Sequence, residues 1–265
     1  LFRSTEFAGL EIFEPELLPC CFVALILGLT LAKEVYRLKR PNYLMYAITF
    51  AMTGVMMTDA GWNDCILVNL WPNDHFAHLF WGVLDVGLTS SIGLAFLFDA
   101  LLDAKILKNK RSTYVAYGIG VCLIFYAYVF CYVHKVAIGL VLLYMGIVGI
   151  GCGSWVIIQT ILTILHEDWK SFWYLILAGL SGGFGFFSLV DFKLSLYLCE
   201  HFSCHVNTQF IWFLVTDISI YFIYLYYKTR TEFLMKYEQK PENVLVRPPF
   251  MEMVEQPIQE RLISH

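Results

Sequence analysis

Two pairs of histidines stand beside apolar segments at spacings that suit a metal ion. His75 and His78 are three residues apart, and His201 and His205 are four apart. Either spacing can place two imidazoles on one face of a helix, and imidazole nitrogens are common zinc ligands. A zinc ion with three protein ligands and a water molecule would be a hydrolytic centre. The alternatives are solvated loop histidines or a pH-responsive cluster.

Acidic residues also stand within segments that are otherwise strongly apolar. An ionisable residue inside a membrane span is costly and is by default a functional hypothesis. Asp59 and Asp191 are candidates for the base of a catalytic centre. The candidate lipid- or ligand-binding residues are Asp85, Ser90, Trp212 and Asp217. Asp99 and Asp103 lie beside basic residues, and for this pair we predict a structural role.

The composition predicts the type of protein that carries these residues. Of the 265 residues, 58% are hydrophobic and only 15% are charged, and the net charge is −4. Soluble domains contain about a quarter charged residues, and a chain with this charge balance does not suggest a nucleic-acid partner. Residues 136–165 contain no charge at all. An uncharged apolar run of that length is typical of a membrane span.

Seven segments are predicted to span the membrane, so the expected fold class is an all-α bundle of seven transmembrane helices. They are residues 16–35, 43–62, 77–102, 113–133, 136–165, 172–190 and 208–227. All lysines and arginines except Arg3, Lys135 and Lys193 fall on one side of these spans. Since basic loops stay in the cytosol, the N-terminus is expected outside or in the lumen and the C-terminus in the cytosol.

The spans divide the chain into three parts. Residues 1–15 form a short outer segment, residues 16–227 the transmembrane domain, and residues 228–265 a cytosolic tail. We expect a multi-pass protein of the plasma membrane or an endomembrane. Its expected partners are membrane lipid, with a second copy of the chain or another membrane protein as further candidates.

Cysteines and glycines suggest how the spans are tied together. Cys65, Cys199 and Cys204 fall on the outer side, where an oxidising compartment permits disulfides, and the pairing stays open. Small residues crowd spans five and six, as GIVGIGCGS at 146–154 and GLSGGFG at 179–185. Such runs predict close helix packing, and the alternative is a cleft for lipid.

Several segments resemble one family of membrane proteins. Segment 186–200, FFSLVDFKLSLYLCE, has an aspartate followed by a Cys-Glu pair, and segment 207–230, NTQFIWFLVTDISIYFIYLYYKTR, is an apolar span with a basic exit. Together with segments 40–62 and 108–118, they resemble the seven-span CREST superfamily. That group includes alkaline ceramidases, progestin/adiponectin receptors and myomaker-like proteins.

The resemblance implies the fold more directly than an activity. Hydrolases of this superfamily bind zinc through histidines in spans two and seven. Here the span-two position holds Thr58 or Asp59, and the span-seven histidines fall at Ile211 and its apolar neighbours. Zinc is therefore a candidate cofactor through His201 and His205, which lie before the span, together with His75 or His78.

Three functions follow from these observations. The first is a CREST-like protein that binds or remodels membrane lipid without hydrolysis. The second is a zinc-dependent lipid amidase or hydrolase, with His201, His205 and either His75 or His78 as ligands. The third is a G-protein-coupled type of receptor. Against the third, span three ends in FDALLDAK where such receptors have Asp-Arg-Tyr, and no proline interrupts spans five to seven.

Overall fold

The structure, a computed structural model, describes residues 4–7, 10–13, 17–67, 70, 76–190, 197 and 208–238. The helices and strands within these residues are β1 (Ser4–Phe7), β2 (Leu10–Phe13), α1 (Leu17–Leu38), α2 (Tyr43–Trp62), α3 (Phe76–Asp103), α4 (Lys110–Val133), α5 (Ala137–Leu165), α6 (Trp169–Val190) and α7 (Thr208–Glu238). A π-helical turn, Asn63–Leu67, follows α2 directly. The all-α prediction is confirmed for the described residues, with one addition. β1 and β2 pair as an antiparallel hairpin, which the sequence did not predict.

The helix bounds lie within three residues of the predicted spans, except at the end of α7. That helix continues beyond residue 227 to Glu238. Among the described residues, α1, α3, α4, α5 and α7 are long and apolar enough to cross a membrane. Several such helices in one chain make this an integral, multi-pass membrane protein.

The second helix is not among these five, although it lies at the centre of the packing. Twelve of its twenty residues are buried. α2 packs between α1 and α3, so protein and not lipid covers most of its surface. A helix covered in this way can carry polar residues such as Thr53 and Asp59, because they face other helices and not hydrocarbon.

The helices form a ring in the order α1, α2, α3, α5, α6, α7, which the contact between α7 and α1 closes. α4 packs mainly against α3, with a smaller contact to α5. Much of the surface of α4 and α5 is exposed and apolar, for example Leu123, Ile138 and Leu142. Exposed apolar side chains of this kind are stable against lipid and costly in water.

Glycines allow two pairs of helices to approach very closely. A Cβ on Gly28 of α1 would lie 2.6 Å from the Phe50 carbonyl oxygen and 2.9 Å from the Gly54 Cα of α2. A Cβ on Gly151 of α5 would lie 2.5 Å from the Gly93 carbonyl carbon of α3. The predicted close packing is thus confirmed at Gly151.

The rest of the first small-residue run behaves differently. A Cβ on its other glycines would meet no atom within 4 Å. These open positions are Gly146, Gly149 and Gly153. One glycine of this run therefore determines how closely α3 and α5 approach.

The connection between α5 and α6 turns an acidic residue inward. Glu167 has φ 57°, in the left-handed region that glycine usually occupies after a helix. The N–H of Asp168 donates to the carbonyl of Thr163 over 2.9 Å, which closes a Schellman motif. This turn leaves Asp168 only 4% exposed and directs it toward α7.

Candidate functional site: a buried polar cluster beneath a basic pocket

The connections with most of the basic residues meet at one end of the bundle, which we term the basic end. Arg40, between α1 and α2, donates to the Lys228 carbonyl of α7 over 3.0 Å and to Glu232 over 3.2 Å. Arg230 of α7 lies 3.4 Å from Asp168, between α5 and α6. The last turns of α7 thus hold two of the connections together.

Two aspartates of α3, the buried Asp99 and the half-buried Asp103, face the same donors at this end. The side-chain nitrogen of Asn42 donates to Asp99 over 3.0 Å and to Asp103 over 2.7 Å. The side-chain nitrogen of Gln159 lies 3.5 Å from Asp99 and 2.7 Å from Asp103. The indole N–H of Trp155 donates to Asp99 over 2.9 Å. Both carboxylates are therefore held by neutral donors from other elements.

Helical periodicity explains how three helices present these groups. Asp99 and Asp103 are four residues apart on α3, and Trp155 and Gln159 are four apart on α5. On α7, Tyr226 and Arg230 have the same spacing. Residues four apart share one face of a helix. The hydroxyl of Tyr226 donates to the Gln159 side-chain oxygen over 2.6 Å, so the three faces meet. We term the following residues the polar cluster: Asn42, Asp99, Asp103, Trp155, Gln159, Tyr226 and Arg230.

Asn42 reaches the cluster because of its backbone conformation. Its φ of 55° is left-handed, which asparagine tolerates better than most residues. Although Asn42 is the N-cap of α2, its side chain makes no capping hydrogen bond. The side chain points instead to the two aspartates, and its own exposure is only 6%.

Arg230 connects the cluster to the connection between α5 and α6. Its guanidinium lies 3.4 Å from the Asp168 carboxylate and 2.8 Å from Nδ1 of His166. Burial, reinforced by the charge of Arg230, lowers the pKa of His166. A neutral His166 can accept a hydrogen bond from the guanidinium at Nδ1, which matches the observed contact.

A narrow crevice of about 10 Å³ runs beside Asp103. It is lined by Pro41, Asn42, Tyr46, Asp103, Tyr227, Arg230, Thr231 and Leu234. The hydroxyl of Tyr227 and the Nε of Arg230 are buried and have no hydrogen-bond partner among the described residues. A volume near 10 Å³ is about the space that one water molecule needs.

A larger pocket of about 390 Å³ adjoins this crevice, since Pro41 and Asn42 line both. It is lined by Lys39, Arg40, Pro41, Asn42, Tyr43, Leu44, Lys110 and Tyr114. We term it the basic pocket, because it has three cationic side chains and no acid among its lining residues. Arg40 is bonded to Glu232, whereas Lys39 and Lys110 are exposed. The pocket therefore offers positive charge to an anion.

The predicted ligand-binding residues lie at different helix interfaces. The hydroxyl of Ser90 is 2.6 Å from that of Tyr128, between α3 and α4. Trp212 packs near Gly185, between α6 and α7. Asp217 is buried on α7 and acts electrostatically on Cys20 of α1. Three of the four candidates thus belong to three separate interfaces.

The remaining predicted site residues are partly outside the described residues. Asp59 is buried on α2, Asp85 is half-buried on α3, and Cys65 is buried in the π-helical turn. His78 is half-buried in the first turn of α3. Asp191, His75, His201, His205, Cys199 and Cys204 lie outside the described residues. Among the residues that the structure does describe, no group of three or more histidine, cysteine, aspartate or glutamate side chains could hold a metal ion. The zinc and disulfide hypotheses stay predictions.

The sequence interpretation missed the polar cluster as a site. It placed Asp99 and Asp103 beside basic residues and predicted a structural role for them, but it did not identify their neutral hydrogen-bond donors, which are two amides and an indole. A signal was present in the sequence, since polar residues recur four apart in α3, α5 and α7. Only the packing of these helices shows that the three pairs face one another.

Comparison with known proteins adds no assignment. No protein-family model, curated protein or solved structure matches this chain.

Proposed function

We propose that this chain is a seven-span protein of the CREST-like type that binds an anionic membrane lipid at its cytosolic face. The observation that carries the proposal is the basic pocket, which has about 390 Å³ of space and three cationic side chains. The seven helices and the asymmetry of basic residues support this topology. With that orientation, the pocket opens at the headgroup level of the inner leaflet, where anionic lipids are concentrated.

The lining residues suit a lipid phosphate better than a neutral headgroup. Lys39 and Lys110 offer ammonium groups from two different elements, one before α2 and one at the start of α4. Tyr43 and Tyr114 add amphipathic rings, which are favoured at the level of lipid headgroups. Leu44 supplies apolar surface for the beginning of an acyl chain. Arg40, bonded to Glu232, forms a fixed wall.

The described part of α7 does not fit a zinc centre of the superfamily type. At the positions where the resemblance places histidines, Ile211 and Trp212 are half-buried and Phe213 is fully buried in the core. None of these side chains binds zinc. For this reason we propose lipid binding without hydrolysis. Zinc at about one per chain, lost in His201→Ala/His205→Ala, would favour the hydrolase alternative.

The test compares lipid retention by purified protein in nanodiscs that contain phosphatidylserine or only phosphatidylcholine. Each lysine near an anionic headgroup contributes about 1 kcal/mol, which is roughly a fivefold change in affinity. Lys39→Gln and Lys110→Gln are each expected to weaken phosphatidylserine binding by roughly that factor. Lys108→Gln is the matched control, since Lys108 is exposed in the connection just before α4 and is not among the lining residues of the pocket.

Two results would contradict lipid binding in this pocket. One is equal retention of phosphatidylserine and phosphatidylcholine by the unmodified protein. The other is a loss in Lys108→Gln as large as that in Lys110→Gln, which would indicate general surface charge. Inorganic phosphate is used as a competitor, because displacement by phosphate at low concentration would identify a soluble anion as the ligand.

A further inference from the structure

We propose that Asp99 and Asp103 form a proton-binding site in which the two side chains share one proton. The site is distinct from the basic pocket and does not depend on lipid binding. Its ligand is a proton, delivered from the basic end of the bundle. Aspartates inside membrane spans are the usual elements of proton relays.

Negative charge outnumbers positive charge around the pair. Asp99 is 1% exposed and Asp168 is 4% exposed, while Asp103 is half-buried beside Asp99. Among the described residues, the buried cation at this cluster is Arg230, which is 4% exposed and already paired with Asp168. Lys110 also attracts Asp103, but its side chain is exposed to solvent. Three ionised carboxylates beside one guanidinium would leave uncompensated negative charge in a buried site, which is costly.

The groups that face the pair come from every element packed around it. They are Asn42 from the connection between α1 and α2, Tyr46 from α2, Lys110 from α4, Trp155 and Gln159 from α5, His166 and Asp168 from the connection between α5 and α6, and Tyr226 and Arg230 from α7. The donors in direct contact with the pair are neutral. Two carboxylates that share one environment of this kind favour a single shared proton.

The directions of the hydrogen bonds at the pair favour a proton over a metal cation. Asn42 and Gln159 both turn their NH₂ groups, not their carbonyl oxygens, toward the aspartates. The Gln159 oxygen is turned away and accepts from Tyr226. A sodium, magnesium or calcium ion would need oxygen ligands in these directions. The side-chain nitrogens of Asn42 and Gln159 each approach both carboxylates, so the two aspartates lie against the same donors.

The narrow crevice offers a route to the pair. It is lined by Asp103, and two residues with unpartnered donor groups line the same space. These are the hydroxyl of Tyr227, 1% exposed, and the Nε of Arg230, both without a hydrogen-bond partner among the described residues. Unpartnered buried donors at a space of about one water molecule are suited to a solvent-linked path. Pro41 and Asn42 line both this crevice and the basic pocket, so the path leads to the basic end.

The experiment is infrared spectroscopy of the purified full chain at pH 7, which detects the carbonyl band of a protonated carboxylic acid. The expected result is a band that is lost in Asp99→Asn and also in Asp103→Asn, because either change removes the shared proton. Asp85→Asn is the matched control on the same helix and should keep this band. Persistence of the whole acid band in both cluster variants would overturn the proposal.

A second measurement needs no change to the aspartates. The indole of Trp155 donates to Asp99, so its emission depends on the charge of that carboxylate. The fluorescence emission of Trp155 is obtained by subtracting the spectrum of Trp155→Phe from that of the unmodified protein. This difference is expected to change in one step during alkaline titration, when the aspartate pair loses its proton. An emission that is independent of pH up to the alkaline unfolding transition would overturn the proposal even if the asparagine variants fail to fold. Neither readout involves lipid, so failure here leaves the lipid test unaffected.

Discussion

Gly151→Ala is expected to destabilise the bundle by pushing α5 away from α3. The new methyl carbon would lie 2.5 Å from the Gly93 carbonyl carbon and 2.9 Å from its Cα. Both atoms belong to the backbone of a helix, so no side chain can move aside. Overpacking of this kind costs roughly 1–3 kcal/mol, while alanine gains at most about 1 kcal/mol over glycine in a helix. A net loss of roughly 0–2 kcal/mol in the free energy of unfolding is expected relative to the unmodified protein. Relative to a glycine-to-alanine change on the same helix that meets no other atom, the expected loss is roughly 1–3 kcal/mol.

The change should also reach the polar cluster, because the same two helices carry it. Trp155 is one turn beyond Gly151 on α5, and its indole donates to Asp99 on α3. Separation of the helices lengthens this bond and exposes the indole. We therefore expect a red shift of the Trp155 emission, measured as the difference from Trp155→Phe in each background.

The assay is equilibrium unfolding in mixed detergent micelles, with Gly149→Ala and Gly153→Ala as controls on the same helix. A Cβ at either position would meet no atom within 4 Å. Both controls should match the unmodified protein or exceed its stability by up to about 1 kcal/mol. If Gly151→Ala is as stable as Gly149→Ala, the close crossing of α3 and α5 is wrong.

Three further predictions concern the basic end. Asp168→Asn removes the buried carboxylate that lies 3.4 Å from Arg230 and should cost about 3–5 kcal/mol in unfolding free energy. Glu34→Gln, in an exposed pair, should cost at most about 1 kcal/mol. Because the pKa of His166 is lowered in the fold, the unfolded chain takes up a proton as the pH falls below about 6.5, and the folded chain does so only at lower pH. The stability measured by thermal unfolding should therefore decrease as the pH falls through this range, and it should decrease less in His166→Gln. If stability depends on pH as strongly in His166→Gln as in the unmodified protein, His166 is not the group responsible. Tyr226→Phe leaves the side-chain oxygen of Gln159 without its donor and should lower the free energy of unfolding by about 1–3 kcal/mol. An unchanged free energy of unfolding would indicate that this hydrogen bond is absent.

The helices were predictable because the signal for a membrane span is local. Residues 136–165 contain no charge over a length that crosses a bilayer, and the helix Ala137–Leu165 follows that segment closely. The end of α7 was predicted less well. Its last turns are polar, so hydropathy ends near residue 227, whereas contacts of Arg230 and Glu232 with other elements continue the helix to Glu238.

The small-residue run on α5 shows a limit of the same reasoning. Four glycines in the run are equivalent in sequence, but only Gly151 meets backbone of another helix. Rotation of α5 about its axis decides which glycine faces α3, and that rotation depends on the packing of the whole ring. The sequence predicted close packing without identifying the residue.

The polar cluster shows the same division between what is local and what is not. The sequence by itself determined that this is a helical membrane protein with buried aspartates and with basic residues gathered on one side, because hydropathy and charge are properties of short segments. Tertiary structure decided that Asn42, Gln159 and Trp155, which are far apart in sequence, hold Asp99 and Asp103 together. It also gathered Lys39 and Lys110 around one pocket. The physical reason is that a polar side chain is satisfied by whichever partner the packed helices bring within hydrogen-bond distance, and that distance is set by the whole bundle.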